Sequence, residues 1–245
     1  MSFYITLPSD SSLNFFPENK ISHYITRLPS PIELKGDWEV GLVEFIFPHT
    51  WHNVNSKNNT IGFNIDDLYV GHHISEGYYH SVSDILEAIA LEGEENKVSF
   101  RYSPASKRVR ITLKNGARVC LKDGLAQMLG FEPTNIQSDD HGEIVVESPY
   151  IADPSADYRV LMVYTNIVES QIVGDVLAPL LRIVNISGQH GETICAQYER
   201  PHYLPINCKF IDSIEIAIRK HSGELVPFER GRSYVKLHFR QKYLA

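Results

Sequence analysis

Cysteine is scarce. Cys120, Cys195 and Cys208 are the only three in 245 residues. They are odd in number and widely spaced, which excludes a disulfide framework and a zinc-ligand spacing and fits free thiols in a reducing compartment. Positive charge is also short: 23 Lys and Arg against 30 Asp and Glu give a formal net charge of -7. Phosphate binding needs a basic footprint, so no specific nucleic-acid partner is expected. No apolar run is long enough to span a bilayer. The start, "MSFYITLPSD", has no basic region followed by an apolar run, so secretion by a signal peptide is not expected either. The sequons at Asn58 and Asn185 therefore carry little weight.

Catalytic signatures are missing as well. There is no Gly-x-Ser-x-Gly elbow and no GxGxxG following a strand. "NISGQHGETI" gathers Ser187, His190 and Glu192 in a Gly-containing loop. It lacks the Gly-Lys-Ser/Thr end that phosphates need, and reads as a turn between two strands. His72, His73 and His80 lie close in sequence, but adjacent strand residues point to opposite faces. His49 and His52 have no carboxylate or cysteine nearby in sequence. The acidic pairs Asp66-Asp67, Glu94-Glu95 and Asp139-Asp140 sit in polar stretches and read as solvated loops. No catalytic residue, cofactor or metal ligand is assigned, and no enzyme is expected.

What is present is strand pattern. Hydrophobic residues at 43% and charged residues at 22% are ordinary for a globular chain able to bury a sizeable core. "SFYITLP", "RVLMVYTNIV", "PLLRIVNI", "FIDSIEIAIRK" and "RSYVKLHFRQ" all read as strands. The second and third are nearly continuous in apolar residues, as expected of strands covered on both sides. Ile214, Ile216 and Ile218 should face a core, with Glu215 and Arg219 outward. "ISHYITRLPSPIEL" reads as a weak strand stopped by Pro29 and Pro31. Residues 75–133 differ. Ser81 and Asp84 form a capping box before Val82, Ile85, Leu86 and Ile89 at helical spacing. Two strands joined by "SPAS" follow. Leu121, Leu125, Met128 and Leu129 then line one face of a second helix, ended by Gly130. This predicts a helix–hairpin–helix insertion within a mainly β sandwich or barrel.

"GDWEVGLVEFIFPHTWHNV" poses a problem of its own. At a period of two, Trp38, Val40, Leu42 and Ile46 make one apolar face. The other begins at Glu39 and turns apolar at Val43, Phe45 and Phe47. The first face should pack in the core. Phe45, Phe47 and Trp51 are then covered by the helical insertion or by a neighbouring subunit, and they are the candidate interface residues. Aromatics in loop-like positions, Phe15, Phe16, Trp51, Tyr78, Tyr79 and Tyr203, either anchor a partner or plug the sandwich ends.

The stretch from "FYITLPSDSS" through "FPENK", Leu28-Pro29 and "WEVGLVEFIFPHTW" resembles the N-terminal part of the minor capsid, or penton, proteins of Polinton (Maverick) elements and adintoviruses. "EGYYHSVSDILEAI", "LAQMLGF" and "GELVPFERGRSYVKLHFR" are similar as well. The resemblance implies a single jelly-roll antiparallel sandwich across residues 1–245, with 75–133 inserted in it. It implies a structural virion protein without turnover: homopentamers at icosahedral vertices beside a double jelly-roll major capsid protein, assembled in the host cytoplasm or nucleus. The competing reading is a sandwich-type binding module, for glycan or protein, in a host-recruited copy, with Trp51, Tyr78 and Tyr79 stacking on sugar rings.

Overall fold

Among the residues described in this computed structural model (1–91, 96–122, 124–155 and 158–242), the chain forms eighteen strands and two helices. In chain order they are β1 (Ser2–Pro8), β2 (His23–Glu33), β3 (Trp38–Pro48), β4 (Thr60–Ile65), β5 (Leu68–His73), α1 (Val82–Ile89), β6 (Val98–Ser103), β7 (Arg108–Lys114), β8 (Arg118–Leu121), α2 (Leu125–Met128), β9 (Thr134–Gln137), β10 (Glu143–Glu147), β11 (Val160–Thr165), β12 (Gln171–Val173), β13 (Val176–Ala178), β14 (Leu180–Asn185), β15 (Thr193–Gln197), β16 (Leu204–Pro205), β17 (Phe210–Arg219) and β18 (Tyr234–Gln241). The chain divides into two units: Met1–Trp51 with Asp157–Ala245, and His52–Ala156.

The first unit holds two antiparallel sheets. One runs β1-β18-β3-β15, with β16 also on β3, and the other runs β14-β11-β17-β2. Strands far apart in sequence are neighbours, β1 on β18 and β2 on β17. Two facing sheets with these returns make a jelly roll. Each strand turns its apolar alternate residues inward. Val40, Leu42, Phe45 and Phe47 of one sheet share a core with Leu161, Val163, Ile214, Ile216 and Ile218 of the other. Ile214, Ile216 and Ile218 are fully buried, as their alternation predicts.

Two sequence expectations for this unit need correction. Pro29 and Pro31 do not stop β2, which continues to Glu33. β2 is an edge strand, and Pro29 and Pro31 fall between Arg27 and Ile32, where its register on β17 shifts, so neither missing N–H removes a ladder bond. "RVLMVYTNIV" and "PLLRIVNI" are not covered on both sides by their own chain; in the second, Ile183 is exposed. Leu161 and Val163 are fully buried, while Val160, Met162 and Tyr164 on the opposite face are only half-buried.

The second unit has its own core. Its sheets run β10-β7-β6 and β5-β4-β8-β9. Ile61, Phe63, Val109, Ile111, Leu113 and Val119 are buried together with Val82, Ile85, Leu86 and Ile89 of α1. Ser81 caps α1: its hydroxyl accepts from Asp84 N–H at 3.2 Å, and the Asp84 carboxylate accepts from Ser81 N–H at 2.9 Å. The predicted helix–hairpin–helix elements of 75–133 lie inside this larger, mainly β unit. The second helix is a single turn, Leu125–Met128, and Leu121 belongs to β8. Gly130 follows with φ +79°, where a Cβ would sit 2.4 Å from Tyr150 O, so only glycine fits. Glu94-Glu95 lies outside the described residues.

Candidate interaction surface

β3 keeps one buried face along its whole length by changing phase. Its pairing with β18 runs Leu237↔Leu42 and then Lys236↔Glu44, which leaves Val43 without an opposite residue. This is a β-bulge: one extra residue, after which inward and outward positions exchange. Trp38, Val40 and Leu42 point inward before it, and Phe45 and Phe47 after it. Val43 is not idle, since its carbonyl accepts from Tyr198 N–H at 2.9 Å.

The three candidate interface residues are therefore interior. Phe45, Phe47 and Trp51 have no accessible surface in the chain itself. Their cover comes from the jelly-roll unit. Phe45 stacks on Phe47 at 4.6 Å, Trp51 stacks on Tyr158 at 5.5 Å, and Phe228 meets Trp51 edge-on at 5.6 Å. Trp51 consequently presents no face to a sugar ring. Tyr78 and Tyr79 are half-buried, and the Tyr79 hydroxyl donates to Ser75 O at 2.8 Å.

His49 sits beside this stack, with its ring 4.2 Å from Trp51 and 5.7 Å from His190. Burial, and then the neighbouring His190, hold its pKa below the usual histidine value. The loop with Ser187, His190 and Glu192 connects β14 to β15 and so crosses between the sheets. The Glu192 carboxylate accepts from Gln189 N–H at 2.7 Å, which ties the loop to itself. Among the described residues, no three His, Cys, Asp or Glu side chains are placed to share a metal ion.

The outer faces of the two sheets differ. On the β1-β18-β3-β15 sheet the polar groups satisfy one another. Tyr4 stacks on His238 at 4.5 Å, Tyr203 hydroxyl meets His238 Nδ1 at 2.7 Å, and Arg240 lies 3.5 Å over the Tyr203 ring while pairing with Glu39. Burial first, and the Arg240 charge second, lower the His238 pKa.

The outer face of the other sheet is more apolar. Met162 opposes Ile183 and Arg219, and Tyr164 opposes Ala217, which in turn opposes His23. A small residue beside the Tyr164 ring leaves a depression. It measures about 400 Å³ and is lined by Tyr164, Thr165, Asn166, Pro179, Glu215, Ala217 and Arg219. Beside it rises the β12–β13 hairpin. Gly174 (φ +64°) and Asp175 make its two-residue turn, the pattern in which glycine takes the first turn position. Ile172 is 80% exposed, its cross-strand partner Leu177 72%, and Val176 56%. The sequence reading passes over this element, although Gly-Asp between apolar pairs in "IVGDVL" is a hairpin signal that could have found it.

No protein-family model matches the chain, and no curated protein matches it in sequence. The fold does have a solved counterpart. The mavirus penton protein, in a crystal structure of its SeMet-labelled form, superposes with a TM-score of 0.56 at 15% identity. The match covers 98% of this chain and 99% of the other. The mainly β, jelly-roll architecture of this chain is thus similar, over nearly its whole length, to that of the mavirus penton protein.

Proposed function

We propose that this chain is a structural virion protein: the penton, or minor capsid, subunit of a Polinton- or adintovirus-like particle. The observation that carries the reading is the full-length likeness in fold to the mavirus penton protein, at 98% coverage. The sequence resemblance, densest at the two ends of the chain, points the same way. The function is geometric. Five copies make heterologous contacts that close into a ring at a vertex, beside a double jelly-roll major capsid protein. Such contacts fall on exposed surface, so Phe45, Phe47 and Trp51 serve the ring by keeping each subunit rigid. The test is co-expression with the double jelly-roll capsid protein of the same element, followed by imaging of the particles. Density for five copies of this chain at each vertex is the expected result. Closed particles that exclude the chain, or whose vertices are made of another protein, overturn the reading.

A further inference from the structure

We infer that the β12–β13 hairpin of one copy seats in the depression beside Ala217 on the outer sheet face of the next copy. The inference rests on the reading above only for the closure of such contacts into a ring; the contact itself is argued from the jelly-roll unit.

The hairpin is a knob without a hole of its own. A two-stranded hairpin is marginal in water unless an apolar face packs on something. Here Ile172 and Leu177 form one exposed apolar pair, and Val176 adds to the opposite face. A Cβ placed on Gly174 would meet nothing within 4 Å, so the tip stands clear of its own chain. Large apolar side chains left this exposed beside one another, as Ile172 and Leu177 are, mark interaction sites.

The depression is a hole without a knob. It is lined by Ala217, Tyr164 and Pro179, and Met162 and Ile183 continue the apolar surface along β11 and β14. β11 carries apolar residues on both faces, the pattern of a strand covered twice, yet its own chain covers it once. The hairpin is rooted at the rim of the same depression, where Thr165 N–H donates to Pro179 O at 3.2 Å and the Gln171 amide donates to Leu180 O. It nevertheless leaves the depression open.

Charge agrees with shape. Asp175, at the tip, is the only charged residue of the hairpin. Arg219, in the wall of the depression, donates to Gly223 O at 2.7 Å and remains half-exposed. The acidic wall residue, Glu215, already faces His23 Nε2 at 2.6 Å. Knob and hole are different elements of one subunit, so a copy whose hole is filled still offers its own knob, and the contact can propagate around an axis.

The experiment uses the full chain, sedimentation velocity and native mass spectrometry. Ile172→Asp with Leu177→Asp removes the knob, and Ala217→Trp plugs the hole, with Ala217→Leu as the milder plug should tryptophan prevent folding. Each alone should weaken self-association at least about tenfold, as loss of a buried anchor does. Mixed in equal amounts, the knob-less and plugged chains should form a one-to-one dimer and nothing larger, because they share a single intact junction. Asp175→Lys and Arg219→Glu should each weaken assembly, and the two combined in one chain should restore it. A folded variant that assembles like the wild type, or a mixture that stays monomeric, overturns the contact. Rings of five that survive every variant overturn the contact and leave the penton reading standing. A wild-type chain that never self-associates also overturns it, and the co-assembly experiment then decides the penton reading separately.

Discussion

Val43 decides what β3 shows to solvent. By standing unpaired opposite β18, it turns two half-faces into one buried face. Phe47→Asp therefore places a carboxylate in a dry aromatic stack. Jelly-roll folding should fail, seen as loss of near-ultraviolet circular dichroism and of a cooperative melt. Phe47→Ala should leave the fold intact but cost about 3–5 kcal/mol in chemical denaturation. His49 sets a pH dependence. Its folded pKa lies below the unfolded value, chiefly through burial and then through His190, so the unfolded chain binds the proton more readily. Stability is then complete above about pH 6.5 and falls as pH drops below it. Urea midpoints taken between pH 7.5 and 5.5 should show this fall, with a shallower slope in His49→Gln. A strict period of two had assigned Phe45 and Phe47 to the wrong face. A bulge has no fixed residue type here, and only the partner strand reveals it.

Elements that depend on near neighbours were the most legible. α1 has its cap, its capping box and its buried stripe written within ten residues, and all three appear as read. Ser81→Ala removes the hydroxyl that accepts from Asp84 N–H. It should cost about 1 kcal/mol, measurable as a lowered melting temperature with the jelly-roll signal unchanged. Ile214, Ile216 and Ile218 were equally plain because β17 is regular there. α2 is shorter than its spacing predicts: Leu121 has helical spacing to Leu125, but its backbone pairs with Ile61 in a sheet, a long-range bond that spacing does not encode. β2 runs past its prolines because Pro29 and Pro31 sit at a sheet edge in a stretch unpaired to β17, which depends on the partner strand and not on local sequence. The β12–β13 hairpin was passed over although its Gly-Asp turn is a local signal, whereas the depression beside it is made by β11, β17 and Pro179, from separate parts of the chain.

At the scale of the whole molecule, the sheet orders set when each unit can form. β1 has one sheet partner, β18, and β18 also separates β1 from β3. The strands of His52–Ala156 pair only with one another. A chain truncated before Tyr234 should accordingly keep protease protection in the second unit and lose it in the first, read out by limited proteolysis with mass mapping of the fragments. On the ribosome this arrangement acts as a timer. The inserted unit is free to close early, while the jelly roll waits for its final strand. The exposed hairpin and its depression acquire their mature surroundings last, only after synthesis has reached the far side of the sheet.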